Sequence, residues 1–209
     1  MLVAGSHGQV GRHLVRMLAE AGHEAVAMIR DESQAEEMES FGGTPLVADL
    51  EGDPAPAAEG CDAIVFTAGG GPGSGAARKE TVDRQGAVKL IEAAREYGVR
   101  RYVMVSAMGA DDPESGEEGM RPYLRAKGSA DASLRESGLD YTIVRPGRLT
   151  DDPATGGVDA AASLGRRGEI TREDTAHVLL TTLTATNTHG KTFEVLGGDT
   201  PIEEAVNGL

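Results

Sequence analysis

Three glycines at positions 5, 8 and 11 constrain this chain more than any other feature. They stand in Val3-Ala4-Gly5-Ser6-His7-Gly8-Gln9-Val10-Gly11-Arg12, after the apolar run Met1–Ala4 and at the opening of an amphipathic stretch, Val10–Ala21. Gly5 and Gly8 permit a tight turn and let backbone N–H groups approach an anion, while Gly11 lets the helix pack close on the strand. The spacing is Gly-x-x-Gly-x-x-Gly rather than Gly-x-Gly-x-x-Gly, but a strand before and a helix after give such glycines their meaning. The turn therefore predicts a helix N-terminus facing a pyrophosphate, with Ser6, His7, Gln9 and Val10 around it. Only four residues precede Gly5, fewer than a typical strand has. Either a few leading residues are missing or the start was assigned late.

The rest of the chain repeats the strand-then-helix theme. Short apolar runs lie at Glu24–Ile29, Thr44–Ala48, Ala63–Thr67, Arg101–Ser106 and Tyr141–Arg145. Rich in Val, Ile and Ala, they read as strands buried on both faces. Helical patterns separate them at Ser33–Ser40, Arg78–Tyr97 and Tyr123–Ser137, and Gly22, Gly98 and Gly138 each stand where a left-handed C-cap is expected. This predicts an α/β Rossmann fold, a doubly wound parallel sheet with helices on both faces. The last third is less regular, with a helix at Thr171–Thr186, a strand at Thr192–Leu196 and a closing helix at Pro201–Val206. One domain over 1–209 is expected, residues from about 147 forming a small C-terminal elaboration. Loops at Gly69–Gly75, Ala110–Gly119 and Gly147–Gly168 fall where ligands bind in open α/β sheets, beyond strand carboxyl ends.

The second strand ends in Ile29-Arg30. A carboxylate here would bond the ribose 2′-hydroxyl of NAD, whereas a guanidinium suits a 2′-phosphate. NADP(H) is thus expected over NAD(H), although Asp31 is adjacent and Arg30 also reads as a plain surface arginine. Asp49, followed by Leu50, reads either as reaching the adenine edge or as a capping residue. Thr67, Ala68 and Gly69, ending the fourth strand, are expected on the cofactor side.

Composition excludes several classes. The formal net charge is −14, so nucleic-acid wrapping, which needs a basic surface, is not expected. Sixteen arginines against four lysines, with 34 acidic residues, suit a well-solvated surface in high salt, or a GC-rich genome. No apolar run approaches a membrane span, and the lone Cys61 cannot form an internal disulfide; a cytoplasmic protein is expected. The five histidines show no metal spacing, so no metal is expected. A small-molecule substrate is the expected partner, with monomer and homodimer both open.

The glycine turn, Asp49-Leu50, Ser106 after Val103-Met104-Val105, Tyr123-Leu124-Arg125-Ala126-Lys127, and Tyr141-Thr142-Ile143-Val144-Arg145-Pro146-Gly147 come in the order seen in short-chain dehydrogenase/reductases. The chain resembles their atypical branch, often described as NAD(P)H-binding or NAD-dependent epimerase/dehydratase-like, over nearly its whole length. That resemblance implies strand order 3-2-1-4-5-6. It also implies that Lys127 holds the nicotinamide ribose and that Ser106 bonds the substrate oxygen.

Tyr123 and Lys127 stand four residues apart, on one face of a helix. An ammonium beside a phenol favours the phenolate, so a lowered Tyr123 pKa is expected if the two act as a pair; both also fit as surface residues of a packing helix. Where the family has an asparagine, this chain offers Asp83, which when ionised only accepts hydrogen bonds. That places the usual proton relay in doubt; Asp83 could pair with Lys127 or Arg84, or cap a polar pocket. Arg148 reads as meeting an anionic substrate or as a solvated arginine. The expected function is an NADP(H)-dependent oxidoreductase acting on a carbonyl or alcohol, a quinone or a flavin. The alternatives are a non-catalytic NADP(H) sensor of the NmrA-like kind and a nucleotide-sugar epimerase or dehydratase. The latter usually needs a larger substrate domain than the residues after Gly147 can build.

Overall fold

Short runs of branched and small apolar residues, each followed by an amphipathic helix, give this chain its layers. The computed structural model describes residues 1–71 and 73–209; Pro72, inside the Gly69–Gly75 loop, lies outside the described residues. The first half runs β1 (Leu2–Ala4), α1 (Gln9–Glu20), β2 (Val26–Ile29), α2 (Ala35–Ser40), β3 (Thr44–Val47) and β4 (Ala63–Phe66). A helix over 76–96 follows, made of α3 (Ala76–Arg78), a π-helical segment (Lys79–Gly86) and α4 (Ala87–Glu96). Then come β5 (Arg101–Val105), α5 (Arg121–Arg135), β6 (Asp140–Pro146), β7 (Arg148–Thr150), β8 (Gly157–Ala161) and β9 (Glu169–Thr171). The chain closes with α6 (Arg172–Thr184), β10 (Lys191–Gly197), β11 (Thr200–Pro201) and α7 (Ile202–Asn207).

Among the described residues, nine strands form one sheet in the order β11-β8-β10-β6-β5-β4-β1-β2-β3. Read from its far edge, this contains the expected 3-2-1-4-5-6 arrangement, all parallel. Val3, for instance, sits opposite Ala27 on one side and Val65 on the other. β10 continues the sheet as a further parallel strand beside β6, and β8 and β11 add antiparallel pairings.

Alternation along the strands divides the core in two. Val3, Ala27, Ile29, Val65, Val103 and Val144 pack with α1, α6 and α7 through Leu14, Leu18, Leu179 and Val206. Their neighbours Leu2, Met28, Phe66, Tyr102, Met104 and Ile143 face α4 and α5 through Leu90, Ala94, Ala130 and Leu134. With both faces covered, β5 is buried at every residue. Gly22, Gly98 and Gly138 have φ of 81°, 73° and 76° after their helices, as their positions predicted.

Two expectations need correction. The Arg78–Tyr97 pattern does not form one regular α-helix, because the chain widens into the π-helical segment that carries Asp83 inward. The Gly147–Gly168 stretch is not loop throughout: β7 pairs with β9 in a small second sheet and β8 joins the main one. Among the described residues no helix is long and apolar enough to cross a membrane.

Candidate functional site

At the carboxyl end of β1 the chain turns on Gly5, whose φ of +88° is open to glycine and whose Cβ would lie 2.6 Å from the Ala68 nitrogen. A Cβ on Gly11 would collide with the Gly5 carbonyl oxygen and come within 2.8 Å of Ser6 Cα. The turn is braced by Gly8 N–H donating to Gly5 O (2.9 Å) and Thr67 Oγ1 donating to Ala4 O (3.0 Å). α1 begins with no side-chain cap and no acidic residue in its first turn, so its leading N–H groups and positive dipole end are left to an anion. A cavity of about 430 Å³ opens there, lined by Gly5, His7, Gly8, Thr67, Ala68 and Gly69 at one end and by Arg30, Asp49 and Leu50 at the other.

Several expected cofactor residues do not line that cavity. Ser6 is buried and donates its hydroxyl to Met28 O at 2.7 Å, tying the turn to β2. Val10 packs into the core, and Gln9 and Gly11 contribute helix start and close packing rather than cavity wall. Asp49 accepts from Glu51 N–H at 3.0 Å while also lining the cavity. Asp31 caps the following turn by accepting from Ser33 N–H at 2.8 Å, and that bond holds its carboxyl below the usual range. Arg30 is exposed on the cavity wall and, among the described residues, has no carboxylate partner.

A second cavity, of about 1010 Å³, lies beyond the ends of β5 and β6. Ser106, Tyr123, Met108, Leu124 and Arg148 line it, with residues of the 163–172 segment. Lys127 sits beneath the junction. Its ammonium donates to Ala68 O (3.2 Å), whose residue lines the first cavity, and to Val105 O (3.1 Å), whose residue lines the second. Asp83 Oδ1 is 3.3 Å away, and Asp83 Oδ2 accepts from Gly70 N–H at 2.8 Å. The structure thus brings Ser106, Tyr123, Lys127 and Asp83 together, and Asp83 pairs with Lys127 rather than with Arg84, which bonds Glu80 at 2.8 Å.

The expected lowering of the Tyr123 pKa is overturned. Burial pushes the phenol up, and the downward pull of Lys127 is the lesser effect, further opposed by Asp83 and Asp131. Lys127 is only 3% exposed and engaged on three sides. The Lys79 ammonium, on the π-helical segment, lies nearer the Tyr123 ring centre (5.0 Å) than that of Lys127 (5.8 Å).

Sequence reasoning missed the carboxylate behind Ser106. Asp131, one turn beyond Lys127 on α5, is fully buried and accepts from Arg145 Nη2 at 2.6 Å and Nε at 3.1 Å. Arg145 also pairs with Asp111. Burial raises the Asp131 carboxyl, against the opposing pull of Arg145 and of the Ser106 hydroxyl. Neither Ser106 Oγ nor Asp131 Oδ1 meets an aligned hydrogen-bond partner. The i,i+4 spacing of Lys127 and Asp131 was the available signal, but such spacing recurs on any polar helix face.

Residues 5–186 match the sequence profile of the NAD(P)H-binding family. The chain belongs to the NAD(P)H-binding family. Among relatives of this family, YhfK of Bacillus subtilis, named an uncharacterized sugar epimerase, is 44% identical over 100% of this chain and 99% of its own length. A solved structure from Bacillus halodurans, named for an NAD-dependent epimerase/dehydratase, superposes with a TM-score of 0.97 at 45% identity, covering 100% of this chain and 98% of that one. The oxidoreductase ylbE of Lactococcus lactis gives 0.89 at 30% identity, covering 100% and 95%. The family's NAD(P)H fits what the first cavity offers: glycines where a Cβ would intrude and an uncapped helix start. This is an NAD(P)-binding protein of oxidoreductase/epimerase-like kind.

Proposed function

We propose that this protein is an NADP(H)-dependent reductase of a small carbonyl, quinone or flavin substrate. The observation that carries the reading is Lys127, whose ammonium joins the wall of the glycine-turn cavity to the wall of the cavity holding Ser106 and Tyr123. When bound, the nicotinamide supplies the hydride. Gly5, Gly8 and the start of α1 hold the pyrophosphate, and Arg30, which among the described residues has no carboxylate partner, meets the 2′-phosphate. Asp49 and Leu50 flank the adenosine end. Ser106, its hydroxyl unspent, orients the substrate oxygen. Tyr123 carries its proton at neutral pH, as a phenol ordinarily does, and burial raises it further, which suits delivery of a proton to a reduced oxygen. Lys127 and Asp83 act as the braced floor of the junction.

A second reading is favoured by the same pair. An ammonium tied to Ala68 O, Val105 O and Asp83 has little left for a ribose, as a non-catalytic sensor would tolerate. The sugar-epimerase name of YhfK comes third, because among the described residues the chain after β6 returns to the main sheet through β8, β10 and β11. Calorimetric titration of NADPH, NADP+, NADH and NAD+, followed by turnover assays with carbonyls, quinones and flavins, tests all three. Tight binding of both phosphorylated forms with turnover that Tyr123→Phe abolishes is the expected result. Strong discrimination between NADPH and NADP+ without any turnover establishes the sensor instead.

A further inference from the structure

The second cavity has an uneven lining. Met108, Met120, Leu124, Pro146 and Leu149 give it apolar walls, and Met120 is 45% exposed where most large apolar side chains of the chain are buried. Four arginines, Arg148, Arg166, Arg167 and Arg172, gather on one segment of the lining although the chain carries a net charge of −14. Three of them are spoken for: Arg148 pairs with Glu169, Arg166 with Asp159 and Arg172 with Asp151. Among the described residues Arg167 has no carboxylate partner. Of the cavity's own acids, Glu169 belongs to Arg148, and Glu194 accepts from Leu164 N–H at 2.7 Å; Glu117, on the loop after β5, lines the cavity with, among the described residues, no cation partner. Ser106, 1% exposed, close to Asp131 and, among the described residues, without an aligned hydrogen-bond partner, gives the same cavity a buried polar group of its own.

We infer that this cavity takes a ligand with an extended apolar body and one anionic group, carboxylate or phosphate, which Arg167 binds. A guanidinium presents a planar fork of donors to either anion, and an apolar body of drug size fits a cavity of this volume. The inference rests on the reductase reading only for taking Ser106 and Tyr123 as the reacting end. It also runs against the overall charge, since a chain this acidic repels anions at long range. A preference for an anion therefore has to come from local contact.

The test is calorimetric titration of naphthoate, naphthyl phosphate and uncharged naphthamide into the full protein, with and without NADPH. The expected result is that one or both anions bind about tenfold tighter than the amide. Arg167→Gln removes that preference and leaves amide binding unchanged, Arg167→Lys restores part of it, and Arg95→Gln, an equal charge change on α4, leaves it intact. Whichever anion binds better identifies carboxylate or phosphate as the natural group. Equal affinity for all three compounds, no binding of either anion, or an Arg167→Gln protein that loses amide and anion alike overturns the inference. None of these readouts uses turnover. Anion preference without any reductase activity thus sinks the reductase reading alone, and activity without anion preference sinks this one alone.

Discussion

Lys127 Nζ lies 3.3 Å from Asp83 Oδ1, and both side chains are closed to solvent, at 3% and 0% exposure. The pair links α5 to the π-helical segment beneath the junction of the two cavities. Removing one member leaves the other as a buried charge without its counterion. Asp83→Asn and Lys127→Met are each expected to lower unfolding free energy by about 3 kcal/mol. The double variant should lose clearly less than the sum, because neither charge is then stranded. Urea denaturation of the four proteins measures the coupling; strictly additive losses would show that the pair contributes nothing as a pair.

Burial pushes the Tyr123 phenol up, and it does the same to Tyr102, whose buried hydroxyl has no hydrogen-bond partner among the described residues. A group whose folded pKa is raised stabilises the fold fully below its unfolded pKa, here about 10, and that contribution is lost as pH rises beyond it. Stability should therefore fall above about pH 10, and the fall should be shallower in Tyr123→Phe. Denaturant midpoints taken from neutral pH upward check this, and identical slopes in the two proteins would contradict it.

Gly11 leaves no room for a methyl group against the Gly5 carbonyl. Gly11→Ala should cost about 1–3 kcal/mol through overpacking and, by displacing the turn, weaken NADPH binding. Thermal melts and calorimetry report the two effects separately. A variant that melts lower but binds NADPH as before would separate the packing of the turn from its ligand role.

Arg30 lines the first cavity and, among the described residues, has no carboxylate partner, while Asp31 is turned into a cap. Arg30→Asp is expected to weaken NADPH binding about tenfold or more and to leave NADH within a factor of about two. Unchanged NADPH affinity would remove Arg30 from the recognition of the 2′-phosphate.

The sheet was legible because its determinants are local. Runs such as Ala63–Thr67, followed by a periodic helix and a C-cap glycine, point to parallel strands without help from distant residues, while the strand order came from the family resemblance. The glycine turn was legible for the same reason, since sterics at Gly5 and Gly11 are written into neighbouring positions. The departures arise from long-range packing. Nothing in Lys79–Gly86 announces a π-helical turn, which exists because Asp83 meets Gly70 and Lys127 from other elements. An ammonium beside a phenol in water favours the phenolate; burial of Tyr123 changes the sign. Asp131 and Arg145 pair across α5 and β6, and Arg167 stands out because its three arginine neighbours along the cavity find carboxylate partners and, among the described residues, it does not.

β10 lies directly beside β6, with Val195 opposite Pro146, and between the two the chain passes out through β7, takes the sheet's outer side as β8, and returns by way of β9 and α6. Everything between, including the arginine-bearing wall of the second cavity, is carried on an excursion whose two ends are neighbours. Its second half is not replaceable, because α6 packs Leu179 and Leu183 into the core beside α1. The stretch before Arg172, which carries Arg148, Arg166 and Arg167, places only Val158 and Ile170 among the buried residues of that core. The structure thus separates a chassis from a smaller cassette, and grafting residues 148–171 between members of this family tests whether that cassette sets which ligand the second cavity takes.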